Sequence, residues 1–316
     1  MTGRTTSRVS SSAATHAEAK ATRPVSTSAE SAAAITGLVV ARPPLLVVAD
    51  FDGTLAPGSR DPGAAAIDPL AQRALRRLAG VAAARPGRVR VVVLTGRTVS
   101  DVAGRVRVGG IEYLGDHGLQ HGRLPRGGRV AGLVVRTEPG FEVHGDPAER
   151  LATGVAATLG DPSWLFVERK GPSVAFHVRQ AEDVAAARAA VVAAIAEVEA
   201  SESMIDHGLE HYRGRSVVDL RPRGAGGKRE AVARLLARDR PGAVVVLGDE
   251  LSDVDAFEAV LAARGADDAL VGITVAVHGL DRPAPAELSA VADLHLGSAR
   301  AVARFLDELA RRLRVR

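Results

Sequence analysis

The chain of 316 residues has no cysteine, 3% aromatic residues and only three lysines, at positions 20, 170 and 228. Without cysteine it can form no disulfide bond, and it offers neither a thiol nucleophile nor a cysteine-ligated metal site. So few aromatic residues leave little surface for base stacking, and we expect no nucleic-acid partner. No apolar run approaches the roughly 20 residues that cross a bilayer, so we expect no membrane partner and a cytoplasmic location.

Residues 1–42 differ in composition from the rest of the chain. They are rich in Ser, Thr and Ala and lack sustained periodicity, which predicts a disordered N-terminal tail. Within it, residues 32–41 are apolar enough to resemble the core of a signal peptide, but polar residues interrupt them. A short helix or an extended segment packed on the following domain fits this stretch better. The remaining length is sufficient for two domains with cores of their own.

The most informative segment is the apolar run at 45–49, which ends on Asp50-Phe51-Asp52-Gly53-Thr54. Five small or branched apolar residues predict a strand buried on both faces, as in a parallel sheet. Asp50 and Asp52 follow at its carboxyl end, where open α/β sheets bind ligands. Gly53 lets the chain turn away at once. Taken alone, the motif is also compatible with a turn that carries solvated charges.

Three later segments place polar groups at a predicted strand end or helix start. They are the strand at 91–94 that ends on Thr95, the glycine-rich loop 224–227 that opens a helix at Lys228, and the strand at 244–247 that leads to Asp249 and Asp253. The order of carboxylates, hydroxyl, lysine and acid pair resembles the four-motif pattern of the haloacid dehalogenase superfamily of phosphotransferases.

Phosphoryl transfer explains why these residue types are needed, because it depends on positioning and on neutralising negative charge. A carboxylate can attack phosphorus and carry the phosphoryl group, and Asp50 is the predicted nucleophile. Asp52 is the predicted general acid and later base, and Thr95 and Lys228 complete the predicted catalytic set. The resemblance implies Mg²⁺ as cofactor, with Asp50, Asp249 and the backbone carbonyl of Asp52 as ligands and Asp253 orienting the metal shell.

Lys228 is supported independently by composition, since nearly all the other basic residues are arginine. A lysine in such a chain indicates a site where a compact ammonium is needed and a planar guanidinium does not fit. At a helix start the charge also opposes the helix dipole, unless Asp50 or a bound phosphate lies nearby. An exposed lysine at a helix start is the alternative.

Alternating strands and helices predict an α/β fold with a mostly parallel sheet covered on both faces. The resemblance makes this a haloacid dehalogenase-like Rossmannoid core, at 43–115 and 223–316, with an inserted α+β cap of the C2 type at 116–222. Predicted cap strands lie at 129–137, 164–170, 173–179, 204–207 and 216–220, and predicted cap helices at 146–159 and 182–199. Ser252 and Asp255 resemble a capping box at the start of the helix after the fourth motif.

Beyond the four motifs, the sequence resembles the trehalose-phosphate phosphatases. The matching segments are 50–55, 95–97, 115–119, 167–171, 173–179, 220–222 and 248–257. The predicted substrate-binding residues are Thr95, Gly96, Arg97, His117, Glu168, Lys170, His177 and Arg179. The sequence departs from the family pattern at Asp219, Arg229, Glu250 and Val254, which puts the substrate in more doubt than the chemistry.

Strand parity supports a polar face on the predicted cap hairpin. Glu168 and Lys170 are two residues apart and therefore lie on the same face of one strand. In the next strand, residues 174, 176 and 178 are apolar and alternate with His177 and Arg179. This face can hydrogen-bond sugar hydroxyls. A solvated sheet face is the alternative, and His117 has the alternative of only holding its turn.

We therefore expect a monomeric, Mg²⁺-dependent phosphatase that hydrolyses trehalose 6-phosphate through an aspartyl-phosphate, in trehalose biosynthesis, with this sugar phosphate as its small-molecule partner. Two alternatives are a sucrose-phosphate and a mannosyl-3-phosphoglycerate phosphatase. A third, from another class, is an inactive sugar-phosphate-binding domain with a regulatory role. The complete set of catalytic positions argues against an inactive site.

Overall fold

The apolar runs at 45–49 and 244–247 lie side by side in the centre of an eight-stranded sheet. The computed structural model describes residues 29–59, 61–201, 208–213, 216–279 and 283–315. The strands are β1 Leu45–Ala49, β2 Val89–Leu94, β3 Glu112–Gly115, β4 Gln120–Arg123, β5 Val134–Thr137, β6 Phe166–Arg169, β7 Val174–His177, β8 Leu209–Arg213, β9 Val217–Pro222, β10 Ala243–Gly248, β11 Val271–Val277 and β12 Leu294–Leu296. The helices are α1 Ala29–Val40, α2 Pro69–Ala84, α3 Val99–Val106, α4 Gly145–Leu159, α5 Val184–Ser201, α6 Lys228–Asp239, α7 Leu251–Ala266, α8 Ala286–Ala290 and α9 Ala299–Val315.

The large sheet has the strand order β12-β11-β10-β1-β2-β3-β4-β5. Its first six strands are parallel, and β4 and β5 continue it antiparallel. Every residue of β1 is buried, as expected for a strand with helices on both sides. The predicted α/β class with a mostly parallel sheet is confirmed.

Alternate residues of β1 enter two different cores. Leu45, Val47 and Ala49 pack in a cluster with residues of α2, α3 and α9. Leu46 and Val48 pack on the other face with residues of α6 and α7. The period of two along the strand therefore divides the core into one layer on each side of the sheet.

A second sheet, of strand order β6-β7-β9-β8, is antiparallel and forms the cap. Helices α4 and α5 pack on one of its faces, against Val174, Phe176 and Val178, all fully buried. The predicted strands at 164–170, 173–179 and 216–220 correspond to β6, β7 and β9, and the predicted helices correspond to α4 and α5. The predicted strand at 204–207 lies outside the described residues, and β8 was not predicted.

The insertion begins later than the predicted boundary at residue 116, because β4 and β5 belong to the large sheet. The chain returns antiparallel along β3 in register Gly115↔Gln120 and is then joined by β5. The part of the predicted strand 129–137 that forms β5 is therefore a core strand, not a cap strand. Both strands are short, and β5 lies at an exposed sheet edge, so their pattern carries little information about which sheet they join.

The predicted disordered tail is wrong for its last residues, since 29–40 form α1. This helix packs against α9, and Val39 and Val40 are buried in the core. The prediction of a short helix within 32–41 is confirmed. Residues 1–28 of the predicted tail lie outside the described residues. Among the helices that the structure describes, none is long and apolar enough to span a membrane.

Candidate active site

The carboxyl end of β1 places the two motif carboxylates in different surroundings. Asp50 is buried, whereas the carboxylate of Asp52, two residues on, is 45% exposed. Between them Phe51 enters the core with no exposed surface. Gly53 then turns the chain with φ +80°, and a Cβ at this position would lie 2.0 Å from Asp249 Oδ2. Only glycine can therefore occupy position 53 while Asp249 stays in place.

Lys228 lies at the start of α6 and reaches back to β1. Its Nζ is 2.9 Å from Asp50 Oδ1 and 2.8 Å from Asp253 Oδ1, and the side chain is almost wholly buried. Burial by itself would lower the pKa of Lys228, but the carboxylates of Asp253 and Asp50 outweigh it and hold the pKa well above the ordinary value. The direction of this shift favours the charged ammonium beside the predicted nucleophile.

For Asp50, burial and not the neighbouring opposite charge decides the direction of the pKa shift. Burial raises its pKa well above the ordinary value, although Lys228 acts to lower it, and the neighbouring acids Asp253, Glu250 and Asp249 add to the rise. A divalent cation at this position would act in the same direction as Lys228 and favour the ionised nucleophile.

Three carboxylates converge at the ends of β1 and β10. Asp50, Asp249 and Asp253 each present an oxygen within 4.8 Å of the other two, and all three residues are buried. Thr54 Oγ1 donates to Asp249 Oδ1 at 3.2 Å. An all-oxygen donor set is what a hard divalent cation prefers. With the space that Gly53 leaves for Asp249, these residues fit a metal ion.

Asp253 is also bound to the backbone at the start of α7. Its Oδ2 accepts hydrogen bonds from the amides of Asp249 at 3.0 Å and Glu250 at 3.1 Å. The predicted capping box of Ser252 and Asp255 is therefore wrong: α7 begins at Leu251, its N-cap is Glu250, and Asp253 accepts from the Glu250 amide. These two bonds orient one oxygen and leave the other for Lys228.

The Asp52 side chain lies apart from this cluster. It pairs with Arg97, which also binds Asp101 at 2.7 Å on the first turn of α3. The side-chain hydroxyl of Thr95, buried at the end of β2, accepts from the Arg97 amide at 3.3 Å. A Cβ at Gly96 would lie 2.7 Å from His117 Nε2, so the close approach of the imidazole requires glycine.

The cap contributes a second polar cluster, centred on Lys170. Its Nζ lies 3.5 Å from Asp219, 3.7 Å from Asp116 and 3.8 Å from Glu168. Burial would lower the pKa of Lys170, but these carboxylates raise it above the ordinary value. Burial raises the pKa of Asp116 to about 6, despite the nearby lysine. For Glu168, burial is outweighed by His177 and Lys170, and its pKa is lowered.

The remaining predicted substrate contacts surround this cluster. His177 Nε2 lies 2.8 Å from Glu168 Oε2, on the polar face of the cap sheet predicted from parity. Exposed Arg179 reaches the Ser59 carbonyl of the core at 3.4 Å. His117 has a left-handed backbone (φ 56°), and its Nε2 is 3.8 Å from Asp219 Oδ2.

Sequence reasoning assigned no site role to Asp101, Asp116, Ser173 or Arg221. Ser173 Oγ donates to Asp116 Oδ2, and Arg221 Nε is 2.9 Å from Asp219 Oδ2. Only Asp101 carried a local signal, because it follows Arg97 by four residues at the start of a helix. The contact of Ser173 with Asp116 joins residues 57 apart in the chain, and Arg221 and Asp219 are near neighbours on one strand.

The four departures from the family pattern have different contacts, and one of them lies near Lys228. Arg229 pairs with Glu258 on α7, and Val254, also on α7, is partly buried against the core layer of α6 and α7. Glu250 Oε1 lies 3.9 Å from Lys228 Nζ and accepts from a serine hydroxyl. Asp219, as described, faces Lys170.

Solved structures share this fold at low sequence identity. The C-terminal domain of trehalose-6-phosphate phosphatase from C. albicans superposes with a TM-score of 0.66 at 18% identity, over 92% of this chain and 99% of that one. A haloacid dehalogenase-like hydrolase from Bacteroides thetaiotaomicron superposes with a TM-score of 0.50 at 16% identity, over 83% of this chain and 98% of that one. The chain thus has the fold of haloacid dehalogenase-like hydrolases, with its four motif segments at strand ends and at the start of α6.

A family profile described as Trehalose-phosphatase matches residues 48–279, and the chain belongs to this family. The trehalose-phosphate phosphatase of Mycobacterium tuberculosis strain H37Rv is 32% identical over 296 residues, covering 88% of this chain and 64% of that protein. That of Mycobacterium avium strain 104 is 34% identical over 260 residues, covering 75% of this chain and 59% of that protein. The chain therefore spans about three fifths of the length of these curated relatives.

Proposed function

We propose that this chain is a Mg²⁺-dependent phosphatase that hydrolyses trehalose 6-phosphate to trehalose and phosphate. The main support is the position of Lys228 between Asp50 and Asp253, buried at the carboxyl end of the central strands. A cation against a buried carboxylate favours attack by that carboxylate on an anionic phosphate. Family membership supports the choice of sugar phosphate.

In the first step an Asp50 carboxylate oxygen attacks phosphorus. A bond forms between that oxygen and phosphorus, and the bond from phosphorus to the sugar oxygen breaks. Asp52, after it takes up a proton from solvent on an oxygen released by Arg97, gives that proton to the departing oxygen. In the second step Asp52 removes a proton from water, which attacks the aspartyl-phosphate. Phosphate leaves and Asp50 is regenerated as a carboxylate.

The residues proposed to hold Mg²⁺ are Asp50, Asp249 and the backbone carbonyl of Asp52, with Asp253 orienting the cluster. When bound, the ion supplies neutralisation of the phosphate charge. Lys228, bonded to Asp50 and Asp253, opposes with its charge the repulsion between the nucleophile and the phosphate. Arg97 keeps the Asp52 carboxylate turned in one direction for proton transfer.

The cap residues are proposed to bind the sugar part of the substrate through hydrogen bonds. Glu168, Lys170 and His177 share the polar face of the cap sheet, and charged groups there can form strong hydrogen bonds with hydroxyls. Because this part of the substrate is remote from phosphorus, its binding energy can be used for closure and orientation.

A cytoplasmic location and a monomeric state stay predictions, and light scattering on the purified chain tests the monomeric state.

Phosphate release from a panel of esters tests the function. Trehalose 6-phosphate, sucrose 6-phosphate, mannosyl-3-phosphoglycerate and p-nitrophenyl phosphate are compared with Mg²⁺ and with EDTA. We expect the highest kcat/KM for trehalose 6-phosphate, abolished by EDTA. Asp50→Asn is the matched control, with turnover at least about several hundredfold lower because an amide is a poor nucleophile. A preference for another ester changes the substrate, and binding without turnover supports the regulatory alternative.

A further inference from the structure

Gln120 joins the catalytic core to the cap through its side-chain amide. The residue lies on β4 and is almost fully buried. Its Oε1 accepts from the amide of Val99 at 2.9 Å, and its Nε2 donates to the carbonyl of Lys170 at 2.5 Å. We propose that Gln120 is a positioning residue that holds Lys170 against the Arg97 loop, and so selects for the sugar part of the substrate. The inference rests on the proposed function.

On the core side, the bond from Gln120 reaches the loop that carries Arg97. Val99 is the first residue of α3, two residues after Arg97. The same loop is bonded to the turn between β3 and β4: the Asp116 amide donates to the Arg97 carbonyl at 2.7 Å, and the His117 amide donates to the Thr95 carbonyl at 2.9 Å. Gln120 begins the strand after this turn, so it belongs to the same hydrogen-bonded segment that positions Arg97, the partner of Asp52.

On the cap side, the bond reaches the turn between β6 and β7. Lys170 and Ser173 close this turn, with the Lys170 amide donating to the Ser173 carbonyl at 3.1 Å. The Ser173 hydroxyl donates to the carboxylate of Asp116 in the core. Gln120 and Asp116 therefore attach the two ends of one cap turn to the same core segment.

The chemistry of glutamine suits this position. A neutral amide can accept one hydrogen bond and donate another at the same time, which neither a carboxylate nor an apolar side chain can do. Both partners are backbone groups in buried surroundings, where a lost bond leaves a polar atom unsatisfied. Since Lys170 lies at 3.5 to 3.8 Å from three carboxylates, a small displacement of its backbone changes all three contacts.

The first test is a double-mutant cycle. Gln120→Glu keeps the acceptor for Val99 and replaces the donor that faces Lys170. We expect kcat/KM for trehalose 6-phosphate to fall about 5- to 50-fold, and that for p-nitrophenyl phosphate to change less than about twofold. In a Lys170→Met background the same substitution should add no further loss. Equal losses on both esters, or fully additive losses, would overturn the proposal.

Gln72→Glu is the matched control, because Gln72 on α2 also donates its amide to a backbone carbonyl, that of Val106 at 2.8 Å, away from the site. It should leave both kcat/KM values unchanged.

The second test does not depend on the substrate. Hydrogen exchange of the wild-type protein and of Gln120→Glu should show faster exchange at 166–177 in the variant and no change in α2. Unchanged exchange at 166–177 would overturn the proposal even if the enzyme prefers another ester. A failure of the proposed function appears instead in the wild-type ester panel.

Discussion

Arg97 donates to both carboxylate oxygens of Asp52, from Nε to Oδ2 at 2.6 Å and from Nη2 to Oδ1 at 2.8 Å. Parallel bonds of this kind restrict the rotation of the carboxylate about its own bond. Asp52 is 45% exposed, and Arg97 only 13%. The exposed group that is proposed to transfer the proton is thus oriented by a more buried one, which Asp101 holds in turn.

We predict that Arg97→Lys lowers kcat about 10- to 100-fold on both trehalose 6-phosphate and p-nitrophenyl phosphate. A lysine keeps the charge but cannot bind two oxygens in parallel, and general acid–base catalysis contributes about 10²- to 10⁴-fold. Steady-state kinetics with both esters measure this. Arg90→Lys is the control, since Arg90 also donates from Nε and Nη2 to a carboxylate, in this case to the single oxygen Oε2 of Glu112, at the other end of β2. A loss confined to the sugar phosphate would instead make Arg97 a substrate contact.

The sequence predicts those parts of this site that depend on short segments. Strand β1, its terminal acids and the glycine that follows are neighbours in the chain, and together with the three later segments they predict a ligand site at the end of a buried strand. The bond between Arg97 and Asp52 joins residues 45 apart, and no local sequence pattern predicts it. The edge strand β5 was assigned to the wrong sheet, because four residues at a sheet edge have no core face to define their register.

The starts of helices are likewise predictable from sequence only where a single local residue can act as the cap. Asp68 caps α2 as a polar residue before a proline should, accepting from the Leu70 amide at 2.7 Å. The start of α7 lies within a run of acids, where several residues can serve as a cap. Glu250 is the N-cap, and Asp253, three residues on, accepts from the Glu250 amide with one oxygen while Lys228 binds the other, which is a tertiary contact.

A pH-dependent prediction concerns His117. Burial, with the positive charges of Arg221, Lys170 and Lys228, lowers the pKa of His117 well below its ordinary value. Below about pH 6.5 the unfolded chain therefore binds a proton that the folded chain does not, and stability falls as pH drops, by at most about 1.4 kcal/mol per pH unit.

His117→Asn removes this dependence and suits the left-handed backbone. Urea unfolding between pH 7.5 and 5.5 should give a shallower slope for the variant. The carboxyl of Asp116, whose pKa is raised to about 6, has the opposite effect on stability but is present in both proteins. Parallel curves for the two proteins would show that His117 does not titrate differently on folding.

A stability prediction concerns α1. Val39 is fully buried in the core, and its neighbour Leu38 is 44% exposed. Val39→Ala should lower the free energy of unfolding by about 1 to 2.5 kcal/mol, because it removes buried methyl groups. Leu38→Ala should stay within about 0.5 kcal/mol of wild type. Denaturant melts measure both, and phosphatase activity should be unchanged in each. Equal, small effects would mean that α1 does not contribute to the core.

The last prediction separates sugar recognition from chemistry. Glu168→Ala should lower kcat/KM for trehalose 6-phosphate by about one to two orders of magnitude, since a lost hydrogen bond to a charged group is worth about 1.5–3 kcal/mol. p-Nitrophenyl phosphate should be affected much less, because it has no sugar to contact. Lys170→Ala should show the same selectivity with a larger loss, since it also removes the ammonium that lies beside Asp116 and Asp219, and only Asp219 keeps Arg221 at 2.9 Å.

Glu149→Ala is the control on the same cap. Glu149 lies on α4 with its side chain 57% exposed, and the ion pair described for it is with Arg169. It should leave both esters unaffected. Because binding energy from the sugar is proposed to drive closure, kcat for the sugar phosphate should fall together with affinity in the Glu168 and Lys170 variants. Equal losses on both esters would place the two residues in cap stability. No loss on either would mean that this face of the cap is a solvated sheet surface, and the choice of trehalose 6-phosphate would then rest on family membership alone.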